Sequence, residues 1–173
     1  KVIMIRKLGS KKPEIHPTAF VSEFAYVIGD VYIGENSSIW PGTIIRADQG
    51  KITIGSNTNI QDNSVVHGDA DLIIEDNVTI GHRVMCHAAF VGAFSLIGNG
   101  AILNDGVRVG NNSIIASGSM VLENMEIPQR SVVRGMPARI RGEVNDKHIS
   151  MQMHISKVYV DKSNKYKSQG DLE

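Results

Sequence analysis

A single cysteine, Cys86, is all the thiol this 173-residue chain carries. That excludes an internal disulfide framework and fits a reducing compartment. Charge of one sign is equally scarce: 18 Lys+Arg stand against 18 Asp+Glu, so no net field draws nucleic acid or an anionic membrane surface. No apolar run approaches the roughly 20 residues that span a bilayer, and no secretory signal opens the sequence, so cytoplasm is the expected compartment. Aromatic residues amount to only 5% while glycines number 17, which suggests tight, repeated turns around a narrow aliphatic core. Helix and hairpin signals are also missing between the apolar positions of the first three quarters, which argues against a Rossmann-like fold or a sandwich.

What the sequence does have is a period. An aliphatic residue returns every sixth position at Ile15, Val21, Val27, Ile33, Ile39 and Ile45. After an interruption it resumes at Ile54, Ile60 and Val66, and after a second at Ile74, Ile80 and Cys86. A five-residue step leads to Val91, then Ile97, Leu103, Val109, Ile115, Val121 and Ile127. Such a unit is one short strand plus a corner, with its aliphatic residue pointing inward. Three units close a triangular coil of about 18 residues, and coils stack about 4.8 Å apart into a continuous core. The fold class is therefore all-β, a parallel β-helix of hexapeptide repeats. Asn and Gly near 35–37, 56–59, 76–77, 99–100 and 111–112 suit corners of unusual backbone conformation.

The pattern divides the chain into four parts. Residues 1–14, with Val2, Ile3, Met4 and Ile5, read as a leading strand that caps the open end. Residues 15–132 form the β-helix, and 133–144, with Gly135-Met136-Pro137-Ala138, read as a turn out of it. Residues 145–173 form a helix and tail. Asn145 is a plausible cap, and Met151, Ile155, Val158, Tyr159, Lys162 and Tyr166 share one face. The helix is expected to fold back along one flat face of the prism, and the tail to fray from Ser168.

The chemistry sits in three histidines. His67 follows the inward Val66 and His87 follows the inward Cys86, so both take the same outward position on adjacent rungs, about 4.8 Å apart. Two imidazoles so placed can converge on one ion at about 2.0–2.1 Å. His82 lies on another face, on the order of 16 Å of extended chain from His87. A three-fold oligomer solves this, with His82 of one subunit completing a site begun by His67 and His87 of its neighbour. Arg46 stacks one rung from His67, and Gln61 and Asp62 lie one rung from Gly81 and His82. Asp48 and Asp62 can then orient a histidine or bridge to Arg46. His16, His148 and His154 read as surface or helix-face residues, Cys86 as small core, and Trp40 and Met85 as packing.

Arg46-Ala47-Asp48, Asn59-Ile60-Gln61-Asp62-Asn63 and the set His67, His82, His87 resemble the γ-class carbonic anhydrases over nearly the whole chain, from Ile15 to about Tyr159. The resemblance implies a left-handed β-helix and a homotrimer with zinc at each interface, the middle histidine coming from the adjacent subunit. It implies reversible hydration of carbon dioxide to bicarbonate by metal-bound hydroxide, since a cation lowers the pKa of its water to about 7. In the family, the glutamine matched by Gln61 positions that hydroxide. The pair matched by Arg46 and Asp48 knits the trimer, and a tyrosine matched by Tyr159 lies near the metal; Asn59 and Asp62 are candidates for supporting the site. Two departures stand out. Gln49 replaces the family's glutamate, and the short connection Gly68-Asp69-Ala70-Asp71-Leu72 lacks its proton-shuttling glutamate, which leaves Asp69 or Asp71 as substitutes. Imidazole donors also accept cobalt or ferrous iron. Two rival readings are a hexapeptide acyltransferase using acetyl-CoA, which shares the fold and the Gly-Met-Pro-Ala exit, and a non-catalytic metal-binding trimer.

Overall fold

The computed structural model describes residues 4–170. Val2 and Ile3 of the expected leading strand lie outside the described residues; Ile5–Arg6 forms a short strand pairing in parallel with Val27 and Ile28. The chain winds into a β-solenoid whose strands are mostly two residues long and pair in parallel with the coil above and below. The inward residues predicted by the six-residue period fill its axis: Ile33, Ile39, Ile45, Ile60, Ile80 and Leu103 are all 0% exposed. Ile15 and Val21, near the open end, are partly buried against the same core.

Two longer strands, Tyr26–Ile33 and Ile44–Ile54, run around a corner and serve two faces of the prism. Their first halves pair with each other, and Ile44 to Arg46 pairs on with Val65–His67. Their second halves continue to Leu72–Ile74. The third face stacks Phe20–Val21, Ser38–Ile39, Asn59–Ile60, Thr79–Ile80 and the strands that follow.

Turning the chain three times per coil requires left-handed backbone at the corners. Asparagine supplies much of it, at Asn36, Asn57, Asn77 and Asn112 with φ between 54 and 58°, because its short polar side chain tolerates this region. Buried hydroxyls bind coil to coil where the backbone ladder is interrupted. Ser64 Oγ donates to Gly81 O (2.7 Å) and accepts from the N–H of Val84 (3.0 Å). Thr58 Oγ1 does the same between Glu75 O and the N–H of Val78. Each hydroxyl thereby satisfies two backbone groups that have no water to turn to.

Three features differ from the sequence reading. Residues in the 133–144 region do not make a simple turn. Ser131–Gly135 and Ala138–Glu143 form an antiparallel hairpin about Met136-Pro137, which pairs the otherwise open edge of the last coil. The helix Asp146–Gln169 (α1) includes Ser168, and the end of the expected frayed tail, 171–173, lies outside the described residues.

The buried stripe of α1 is also rotated from the apolar one. Gln152, Ser156 and Ser163 are buried, while Met151 and Tyr166 are 40% and 53% exposed. Hydrogen bonding is the reason: Gln152 Nε2 donates to Ser113 O (3.1 Å) and Ser156 Oγ to Asn57 O (2.9 Å). Small polar side chains let the helix lie close against corner carbonyls that need donors. Asn145 caps α1, its side chain accepting from the N–H of His148 (3.0 Å) while its own N–H donates to His148 Nδ1 (3.2 Å).

Cys86 occupies an inward position between Val66 and Leu103 and is fully buried. Burial pushes its thiol from an ordinary 9.0 up to about 11, only partly offset by a backbone hydrogen bond at Ala88. The unfolded thiol therefore ionises first, and the folded state loses relative stability as pH rises through that interval. Urea unfolding of the wild type and of Cys86→Val should run in parallel below pH 8. By pH 11 the wild type should lose on the order of 2–3 kcal/mol relative to the variant; curves that stay parallel throughout would show that the thiol does not titrate with unfolding.

Candidate metal centre

The strand ladder decides which outward side chains meet. Arg46 is the register partner of His67, and the pairing of Val66 with Cys86 sets His67 beside His87. Their rings lie 5.0 Å apart at 78°. Each ring is held by its Nδ1. That of His67 donates to the carbonyl oxygen of Arg46 (2.7 Å), and since a carbonyl oxygen can only accept, the proton is on Nδ1 and the lone pair on Nε2. His87 Nδ1 meets Asp105 Oδ1 at 2.7 Å. His82 Nδ1 meets Asp62 Oδ2 at 3.0 Å. All three imidazoles thus have one nitrogen occupied by an acceptor and the other free to bind an ion.

They do not come together in one chain. His67, Asp69 and His87 form a group whose donor atoms lie within 4.8 Å of one another, with Asp69 Oδ1 3.8 Å from His67 Nε2. His82 follows Thr79–Ile80 on the face that α1 covers and does not belong to that group. The predicted residues therefore sort into two sets on different corners. One holds Arg46, Asp48, His67 and His87, with Asp69. The other holds Asn59, Gln61, Asp62, His82 and Tyr159.

In the first set Arg46 is ion-paired with Asp48 through Oδ2. Asp48 Oδ1, 3.7 Å from His67 Nδ1, is shielded from solvent yet has no hydrogen-bond partner. Burial raises the pKa of this carboxyl. Its hydrogen bonds to its own backbone N–H and to Arg46, with the positive charge of Arg46, outweigh that and hold it below the usual range. An ionised oxygen with no donor is costly unless a donor arrives from outside the chain.

The second set is stiffer. Gln61 Nε2 donates to Asn59 Oδ1 (3.0 Å) and Asn59 Nδ2 to Thr79 Oγ1 (2.9 Å), all three residues being buried. Burial, and then the negative charge of Asp62, push the Tyr159 phenol up, so it remains a neutral donor at physiological pH. Its ring packs edge-on against Trp40 (5.5 Å), and Lys162 Nζ lies 4.7 Å above it. Trp40 is itself buried and donates through Nε1 to Ser38 Oγ (3.0 Å).

Asp105 is the residue that sequence reasoning missed. Its strand register offered no signal, because the rung partner of His87 is Asn104, and Asp105 reaches the ring only because the corner beyond it turns back.

A family model described as "Bacterial transferase hexapeptide (six repeats)" matches residues 12–47 and 88–123. A protein of Geobacillus kaustophilus named "Carbonic anhydrase" is 40% identical over 167 residues, covering 95% of this chain and 92% of that one. "Gamma carbonic anhydrase 1, mitochondrial" of Arabidopsis thaliana is 44% identical over 148 residues, or 81% of this chain, and the match spans only 54% of that longer relative. Among solved structures, a hexapeptide transferase family protein from Anaplasma phagocytophilum superposes with a TM-score of 0.89 at 34% identity, covering 92% of this chain and 96% of its own. That fold is the left-handed β-helix. With most of its length aligned to such relatives, the chain belongs to the gamma carbonic anhydrase family of hexapeptide-repeat proteins.

Proposed function

We propose that this protein catalyses the reversible hydration of carbon dioxide to bicarbonate as a homotrimer. In this reading a zinc ion is held at each interface by His67 and His87 of one protomer and His82 of the next. One observation carries it: all three imidazoles have Nδ1 tied to an acceptor and Nε2 unengaged, the tautomer a metal ligand needs. Three neutral nitrogen donors fit zinc, and would also take cobalt or ferrous iron. Such an ion would supply the acidity that lets water act as a nucleophile near neutral pH.

The chain's own groups divide the remaining work. Gln61, fixed by Asn59, orients the reacting water or the substrate oxygen through the part of its amide not bound to Asn59. Tyr159 provides a neutral hydroxyl beside Asp62. Arg46 and Asp48 join subunits, and a neighbour's donor would satisfy the orphaned Asp48 Oδ1.

Support for assembly comes from an outward apolar column beside the histidines. Ile44 and Met85 on it are 40% and 41% exposed, and the register continues through Val65, Ile102 and Met120. Single exposed apolar residues are ordinary, but a contiguous stripe marks a surface to be covered. The named activity of the Geobacillus relative, aligned nearly end to end, points the same way. The fold neighbour described as a hexapeptide transferase favours group transfer instead, with acetyl-CoA as the donor to test, and a trimer that binds metal without turnover is the third reading. Among the described residues no helix is long and apolar enough to cross a membrane.

Metal analysis with stopped-flow carbon dioxide hydration separates these readings. About one zinc per chain with hydration well above background is expected. Acetyl-CoA turnover without bound metal would favour the transferase, and full zinc occupancy at background rate the inert trimer. His82→Ala should lose most of its zinc and shift the trimer toward monomer in light scattering; a stable, zinc-loaded trimer would refute the shared site. Gln61→Ala should keep its zinc and trimer while kcat falls by about 10-fold or more, and an unchanged kcat would remove Gln61 from the reaction.

A further inference from the structure

Resting on the reading above, we propose that Asp105 is a positioning residue for the metal ligand His87, fixing its ring through Nδ1 so that Nε2 points into the centre. The Nδ1–Oδ1 distance is 2.7 Å, within the range of a charge-assisted hydrogen bond. The three histidines are not held alike. His67 is held by a neutral backbone carbonyl, whereas His87 and His82 are held by carboxylates, Asp105 and Asp62. A carboxylate behind an imidazole raises the basicity of the opposite nitrogen more than a carbonyl does. Under the proposed assembly, each centre would then take one carboxylate-backed imidazole from each of its two protomers.

Asp105 is suited to the task by its backbone rather than by burial, since its side chain is 62% exposed. Its carbonyl accepts the N–H of Asn124 in the next coil (2.8 Å). The preceding Asn104 is tied to Val121 O through its side-chain amide (2.7 Å). The following Gly106 has φ +69°, and a Cβ there would meet Asn124 Oδ1 at 2.2 Å. The corner is therefore pinned on both sides of Asp105, and the carboxylate is delivered to His87 by the coil beyond it. Asp69, in contrast, lies on the Nε2 side of His67 and cannot serve the same purpose.

Zinc affinity of the full chain, measured by chelator competition, tests the assignment without reference to turnover. Asp105→Ala should bind zinc about 10- to 100-fold more weakly than wild type. Asp105→Asn, which retains an acceptor oxygen without the charge, should recover part of that loss. The cobalt-substituted protein should show an altered visible absorption spectrum in Asp105→Ala. The metal-free variants should melt within about 2 °C of the metal-free wild type, as expected for an exposed side chain. Equal zinc affinity in Asp105→Ala and wild type would overturn the role of Asp105 and leave the proposed centre intact. A loss matched by a large drop in metal-free melting temperature would overturn it in favour of a structural role. A wild type that takes up no zinc would overturn the centre itself.

Discussion

The spacing between one coil and the next is the constraint on which this molecule depends. Parallel backbone hydrogen bonding fixes that spacing, and the inward aliphatic column fixes the register, so each outward side chain has a determined neighbour a rung away. His67 and His87 approach because Val66 and Cys86 are stacked, not because of any attraction between the rings. A slip of one residue would send the inward set out and the imidazoles in, so hydrophobic burial along the axis is also what holds the candidate centre in place. The cost of this rigidity is met at the corners, where asparagines accept left-handed backbone and buried serine and threonine hydroxyls take over interrupted hydrogen bonds.

The same rigidity keeps the two sets of candidate side chains apart within a protomer. A triangular prism cannot bend one corner toward another, so His82 with Asp62, Gln61 and Tyr159 stays on its own corner, whatever its chemistry. Joining the sets requires a second copy, and the features that suggest one are of different kinds: an apolar outward column, an ionised oxygen lacking a donor, and a histidine triad divided between faces. The first two would be liabilities in an isolated protomer.

Much of this was legible in the sequence because the β-helix converts position into geometry more directly than other folds do. Ile33, Ile60 and Leu103 recur at six-residue spacing and all reach the axis; their role could be counted. The helix was less readable. Its buried stripe is Gln152, Ser156 and Ser163, of which Gln152 and Ser156 donate to carbonyls of the solenoid and Ser163 to Val160 of the helix itself, while an apolar-face rule selects Met151 and Tyr166. The hairpin at Ser131–Gly135 was hidden by Gly135 and Pro137, which signal a reversal but not that the chain pairs with itself after it. Asp105 was invisible for a different reason: it acts across a corner, and the repeat specifies strands far better than the paths between them.

The interruptions of the repeat have a consequence for how such a protein can diversify. The coil from Ile45 to Val66 and the coil from Val66 to Cys86 are both longer than the ordinary unit, and their surplus falls at one corner, around 48–51 and 68–71. The two excursions rest on each other, the N–H of Lys51 donating to Asp71 Oδ1 (2.8 Å), and they carry Asp48 and Asp69 beside His67. Residues can be added or removed there without shifting any strand above or below. The wall of the prism is thus fixed by its stacking, while its ragged edge can lengthen, shorten or change charge next to the imidazoles.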